Sequence, residues 1–185
     1  MKLSNKKIND LFAGRVVRKD LTNRIKGNAS VPTYVLEYLL GQYCATDDPE
    51  TIEQGVEMVK EIITRHFVHR DEAQVIKSTI KERGSHRIID KVSVRLNDKL
   101  DRYEANFANL GLNKIPILTE YIKSYPKLLS EGVWCIVTMS YAPAEGKDSS
   151  PWNVDQLKPI QISSVDINEY KEVRKSFNKE EWIAL

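Results

Sequence analysis

Lys91-Val92-Ser93-Val94-Arg95-Leu96-Asn97 decides the fold class. Apolar and polar residues alternate at period two, the pattern of a strand with one packed face and one wet face. Asn97-Asp98-Lys99 then supplies turn chemistry, and Arg102 to Ala108 is suited to return antiparallel, so the stretch reads as a β-hairpin.

Upstream of Gly84 the rhythm is helical. Ile52, Val56, Val59, Ile63 and Phe67 recur at helical spacings, behind Asp48 as a cap, Pro49 at the first helical position and acids in the first turn. Pro32 opens an apolar stripe of Val35, Leu36, Leu39, Leu40 and Tyr43. Asp71 starts another helix with Ala73, Ile76 and Ile80 inward, Lys81 and Arg83 in its last turn, and Gly84 as a left-handed cap. Leu3, Ile8, Leu11 and Phe12 predict a short amphipathic helix, and Val16 to Lys26 a second helical or mixed stretch broken by Gly27-Asn28.

Downstream of the hairpin, Ile117 to Leu129 predicts a helix interrupted by Pro126. Val133 to Ser140 is an apolar run of strand length, and Pro143 to Pro151 is a loop. Val154 to Ile162 predicts a last strand, which Pro159 places at an edge or bulge. Ile167–Val173 and Lys179–Leu185 read as helices. Asn178 is placed to cap the second of these, but no stop signal follows, so a piece of something longer is expected. Helices first and strands second predict an α+β chain. Residues 1–84 are expected to form a helical subdomain, 85–165 a small antiparallel β-rich, OB-like barrel, and 166–185 a helical connection.

Composition narrows the function. The chain has 185 residues, 41% hydrophobic and 29% charged, which excludes wholesale disorder. No apolar run is long enough to span a membrane, and no apolar stretch follows the lysines at the start, so a cytoplasmic location is expected. Cys44 and Cys135 are too few for a disulfide framework or a thiolate zinc cluster. The net charge of +2 hides segments of opposite sign: residues 1–30 carry +6 and residues 31–59 carry −6. A basic arm beside an acidic stretch means either a polyanion site or two complementary surfaces that meet.

Catalytic motifs are missing from the sequence. The only Gly-Lys pair, Gly146-Lys147, is followed by Asp148 and lacks the upstream glycine of a phosphate-cradling loop. No zinc-protease, nucleophile-elbow or dinucleotide motif occurs. His66 and His69 share a helix end, with His86 further on. Their expected role is to serve helix carbonyls and the dipole rather than a metal, and no metal site is assigned. Cys135 sits between Trp134 and Ile136 in an apolar strand, where a thiol is inert packing.

Two basic clusters remain. One is the arm, Arg15, Arg18, Lys19, Arg24 and Lys26; Arg15, Arg18 and Lys19 fall on one helical face. The other is the hairpin, with Lys91 and Arg95 on one strand face beside Ser93 and Asn97, Lys99 in the turn, and Arg102 with Tyr103 on the return. Such groups suit phosphate oxygens and base stacking. The competing interpretation is an ordinary solvated sheet face, which the interleaved Asp90, Asp98 and Asp101 favour.

Longer strings go further. Phe12-Ala13-Gly14-Arg15-Val16-Val17-Arg18-Lys19-Asp20-Leu21-Thr22, the stretch Val31-Pro32-Thr33-Tyr34-Val35-Leu36-Glu37-Tyr38-Leu39-Leu40-Gly41-Gln42-Tyr43-Cys44-Ala45-Thr46, and Leu157-Lys158-Pro159-Ile160-Gln161 resemble the amino-terminal region of the BrxL family. Ile88-Ile89-Asp90-Lys91-Val92 and Gly132-Val133-Trp134-Cys135-Ile136 fit as well. These are Lon-like AAA+ proteins of BREX bacteriophage-defence systems. The resemblance implies a non-catalytic module of a ring-forming, DNA-associated ATPase similar to MCM-type helicases. ATP and magnesium are then expected only in an absent ATPase core, beside a Lon-protease-like domain. Implied partners are DNA, bound without sequence preference, further copies in a ring, and other BREX proteins. The zinc site frequent in MCM amino-terminal regions has no cysteine cluster here. Two alternatives are a protein-substrate or partner-recruiting module of a Lon-like protease, and a purely structural oligomerisation domain.

Overall fold

The computed structural model describes residues 21–25, 31–44 and 48–160. They fall into two compact units, one holding the described residues up to Glu61 and the other spanning Ile62–Ile160. The helices expected at 1–12, 167–173 and 179–185, and most of that at 16–26, lie outside the described residues.

In the first unit, residues 21–25 are helical, followed by α1 (Thr33–Tyr43) and the start of α2 (Pro49–His66). The apolar stripe of α1 buries Val35, Leu36, Leu39 and Leu40, while Tyr43 stays exposed. Asp48 caps α2 as its position predicts, accepting from the Thr51 backbone N–H at 2.9 Å and from the Thr51 hydroxyl. A Cβ on Gly55 would overlap the Tyr43 carbonyl oxygen, so glycine is what lets α2 pass the end of α1 this closely. On α2, Val56, Val59 and Ile63 are buried, and Phe67 lies just beyond its last turn.

The second unit is built on a five-stranded antiparallel sheet. Its strands are β1 (Ser85–Asn97), β2 (Arg102–Phe107), β3 (Leu112–Ile117), β4 (Val133–Tyr141) and β5 (Trp152–Pro159), in the order β3-β2-β1-β4-β5. The sheet curls into a half-barrel, bringing its edge strands β3 and β5 near each other. Helix α3 (Ala73–Arg83) packs on β1 and β4. It buries the expected Ala73, Ile76 and Ile80 and is followed by Gly84 at φ +79°.

Inside the curl, Ile88, Val92, Val94, Ala105, Phe107, Ile115, Cys135, Val137, Met139 and Leu157 form one apolar cluster with α3 residues. Each large side chain fully buried there stabilises the fold by about 1.5–3 kcal/mol relative to exposure. Asp90 is completely buried, and its carboxylate accepts from the backbone N–H groups of Lys91 (2.7 Å), Asn109 (3.0 Å) and Leu110 (2.8 Å). It thereby closes the tight turn from β2 to β3, where Gly111 has φ +69°.

Three expectations are corrected. Ile117 ends a strand, β3, that the sequence hid by carrying Pro116; the helix is only α4 (Thr119–Ser124), and Pro126 opens a separate 3₁₀ turn, Pro126–Leu129. β1 begins six residues earlier than its alternation, at Ser85, because Ile88, Ile89 and Asp90 are all buried and break the period. Leu96, expected inward, is 46% exposed, because it sits where the hairpin runs past the end of the core.

Candidate nucleic-acid interface

Register decides which side chains share a face, because directly paired residues point the same way. Val92 pairs with Phe107 and Val94 with Ala105, all on the core face. The odd-numbered positions of β1 therefore face the other way. Ser93 pairs with Asn106, Arg95 with Glu104 and Asn97 with Arg102; across the sheet, Lys91 pairs with Trp134 and Arg87 with Thr138. Ile136 joins Ile89 to Lys158 on the same side. One outer face thus gathers Arg87, Lys91, Arg95, Arg102 and Lys158 from three strands.

Lys91, Arg95 and Lys99 are exposed. The stem of Lys91 runs along Gly132, where an added Cβ would stand 2.6 Å from Lys91 Cε. Asn97 organises the turn, its side-chain oxygen accepting from the N–H groups of Lys99 (3.2 Å) and Leu100 (3.3 Å). Arg102 is held differently. Its Nε and Nη2 donate to Glu104 Oε1 at 3.2 and 3.0 Å, and Nη1 donates to the Asp148 carbonyl oxygen at 2.7 Å. Asn97 Nδ2 donates to the same Glu104 oxygen at 2.9 Å. Burial pushes the Glu104 carboxyl up, but the Asn97 and Arg102 hydrogen bonds, with the charges of Arg102 and Arg95, outweigh it and hold it below the usual carboxylate range.

The arm residues fare otherwise. Arg24 belongs to the first unit and forms a two-point pair with Glu53, Nη1–Oε1 2.8 Å and Nη2–Oε2 2.9 Å. This lowers the Glu53 carboxyl, chiefly through the Arg24 hydrogen bond. For this residue, then, the basic arm and the acidic stretch meet. Arg15, Arg18, Lys19 and Lys26 lie outside the described residues.

His66 and His86 bind backbone, while the His69 ring packs edge-on against Phe67. His66 Nδ1 donates to the Arg87 carbonyl at 2.7 Å and His86 Nε2 to the Arg65 carbonyl at 3.0 Å, joining the end of α2 to β1. Burial, partly offset by the Arg87 hydrogen bond, holds the His66 imidazole below its ordinary value. Among the described residues no group of three or more His, Cys, Asp or Glu side chains is placed to hold a metal. Gly146-Lys147 lies in the loop between β4 and β5, with a strand and not a helix after it, so it forms no nucleotide-phosphate cradle. Burial, with Asp90 nearby, pushes the Cys135 thiol up to about 12. No helix among the described residues is long and apolar enough to cross a membrane.

Comparison with known proteins identifies the surrounding sequence. Residues 10–141 match the family model "BREX system Lon protease-like protein BrxL N-terminal", and residues 152–185 match "Lon-like protease BrxL-like, ATPase domain". The chain belongs to the BrxL family. It is 54% identical over 182 residues to "Lon-like protease BrxL" of Bacillus cereus (strain H3081.97), covering 98% of the chain and 27% of that protein. The BrxL of Escherichia coli O9:H4 (strain HS) is 51% identical over 178 residues, covering 96% and 26%. The chain therefore spans about a quarter of the length of the curated BrxL proteins it matches.

Sequence reasoning missed Arg87, Lys158 and Glu104. Counting back in twos from Lys91 through Ile89 reaches Arg87, so that signal was present. Lys158 joins the face only through the β4–β5 register, which no local pattern reveals. Glu104 carries no local signal on the return strand, and only the pairing opposite Arg95 sets it among the cations.

Proposed function

We propose that this chain is the DNA-contacting, ring-assembling amino-terminal module of a Lon-like BREX protein, without catalytic activity of its own. The observation that supports it is the register that gathers Arg87, Lys91, Arg95 and Arg102 on the sheet face opposite the core. Cations spaced along paired strands can follow a phosphate backbone while leaving bases unread, so binding is independent of sequence and strongly dependent on salt. Each copy supplies only a few such cations. A ring of copies multiplies them through effective concentration, so assembly and DNA retention are coupled. ATP and magnesium belong to the ATPase part of such a protein, and the whole acts in the cytoplasm, where it meets DNA and other BREX proteins.

The test is duplex-DNA affinity of the full-length protein with Lys91, Arg95, Lys99 and Arg102 all changed to alanine. The expected result is weaker binding, with the slope of log affinity against log salt falling by about 0.9 for each phosphate that is no longer neutralised. Unchanged affinity would remove the hairpin face from the function. Retention of protein clients without salt-sensitive DNA binding would favour a recruiting module instead.

A further inference from the structure

Glu104 is an acid placed where a DNA-binding face has least use for one. It is 1% exposed, lies on the outer face and stands directly opposite Arg95. All three of its side-chain donors, Asn97 Nδ2 and Arg102 Nε and Nη2, converge on Oε1. Oε2 is buried and receives no hydrogen bond from the described residues. Here the whole hydrogen-bonding capacity that is used goes to Asn97, which shapes the hairpin turn, and to Arg102.

Arg102 shows what the arrangement accomplishes. Nε, one N–H of Nη2 and one N–H of Nη1 are occupied by Glu104 and the Asp148 carbonyl. A guanidinium has five N–H donors, so one N–H on each terminal nitrogen is left unused by the described residues and can meet an anion. A free arginine side chain would lose its rotamer freedom on gripping a phosphate, whereas Arg102 has already lost it in the unbound state.

We propose that Glu104 is the positioning residue for Arg102, fixing its guanidinium so that the outward N–H groups receive a backbone phosphate of DNA. This rests on the DNA-binding role proposed above. It makes a prediction of counterintuitive sign. Bulk electrostatics says that removing a negative charge from the face strengthens binding of a polyanion. Positioning says that the same change weakens it.

The experiment compares the full-length protein with its Glu104→Gln, Arg102→Ala and doubly changed forms, binding a 30-base-pair duplex across a salt series. Glu104→Gln is expected to weaken binding on the order of three- to tenfold and to lower the salt slope by about 0.9, the equivalent of one phosphate. In the Arg102→Ala background the same change is expected to have no weakening effect, a non-additivity that a general structural role would not produce. Arg102→Lys, which keeps the charge but not the fork, is expected to weaken binding as Glu104→Gln does and serves if the latter fails to fold. Equal or tighter binding by Glu104→Gln, with the unaltered protein still bound in a salt-dependent way, overturns the positioning role alone. Absence of salt-dependent binding by the unaltered protein overturns the DNA-binding role and this one with it.

Discussion

Asp90 and Glu104 sit on neighbouring strands of one sheet, and both are buried, at 0% and 1% exposure. Their surroundings are opposite. Asp90 faces the core side and spends both oxygens on the backbone N–H groups of Lys91, Asn109 and Leu110. Glu104 faces the outer side and spends one oxygen on side chains, the other receiving no hydrogen bond from the described residues. The first acid ties chain to chain, so its job is the fold. The second ties an arginine and an asparagine in place, as the proposed positioning role requires. Burial alone separates neither case; the identity of the donors does.

The contrast is broken most severely at Asp90. Asp90→Ala strands the backbone N–H groups of Asn109 and Leu110 in the β2–β3 turn and of Lys91 on β1, and a loss of about 3 kcal/mol is expected in urea or thermal unfolding. A loss under about 1 kcal/mol would mean that water or a rearranged turn replaces the carboxylate. Glu104→Gln keeps an oxygen acceptor in position and is expected to cost only about 1 kcal/mol in the same assay, so the proposed effect on DNA retention is read on folded protein.

Acid titration sharpens the difference, because the two carboxyls shift in opposite directions. Burial raises Asp90, so the folded state takes up its proton more readily than the unfolded chain, and this group adds stability as pH falls through its raised value. Glu104 is lowered, so its contribution is present above the ordinary glutamate value and is lost as pH falls through the depressed folded one. Stability measured against pH for Asp90→Asn and Glu104→Gln, each subtracted from the unaltered protein, is expected to slope in opposite senses in the acidic range. Slopes of the same sign would contradict the assigned surroundings. The smallest effect is chemical: with its thiol pushed to about 12, Cys135 is expected to resist alkylation at pH 8 in folded protein and to react once urea is added, as followed by mass spectrometry.

Much of this architecture was legible in the residues. Periodicity placed α1, α2, α3 and the β1–β2 hairpin, and a continuous apolar run of strand length placed β4, because each satisfies one dominant local rule. β3 escaped because Pro116 contradicts strand propensity and only pairing with β2 holds it as a strand. The candidate site was half legible. Alternation put Lys91, Ser93, Arg95 and Asn97 together, since period two needs no tertiary information. What the alternation could not reveal was the Arg102–Glu104–Asn97 cluster, which depends on register, or that Arg24 would be committed to Glu53, a partner far along the chain.

Pro116 and Pro159 lie on the two outermost strands of an open sheet. A proline offers no N–H to a newcomer, and an unpaired rim of a sheet is where chains ordinarily adhere to one another. With one proline at each margin, templated fibril growth by strand addition is discouraged at both ends. Contact between copies through strand pairing is thereby disfavoured, and side-chain surfaces are left as the route by which one copy could meet another.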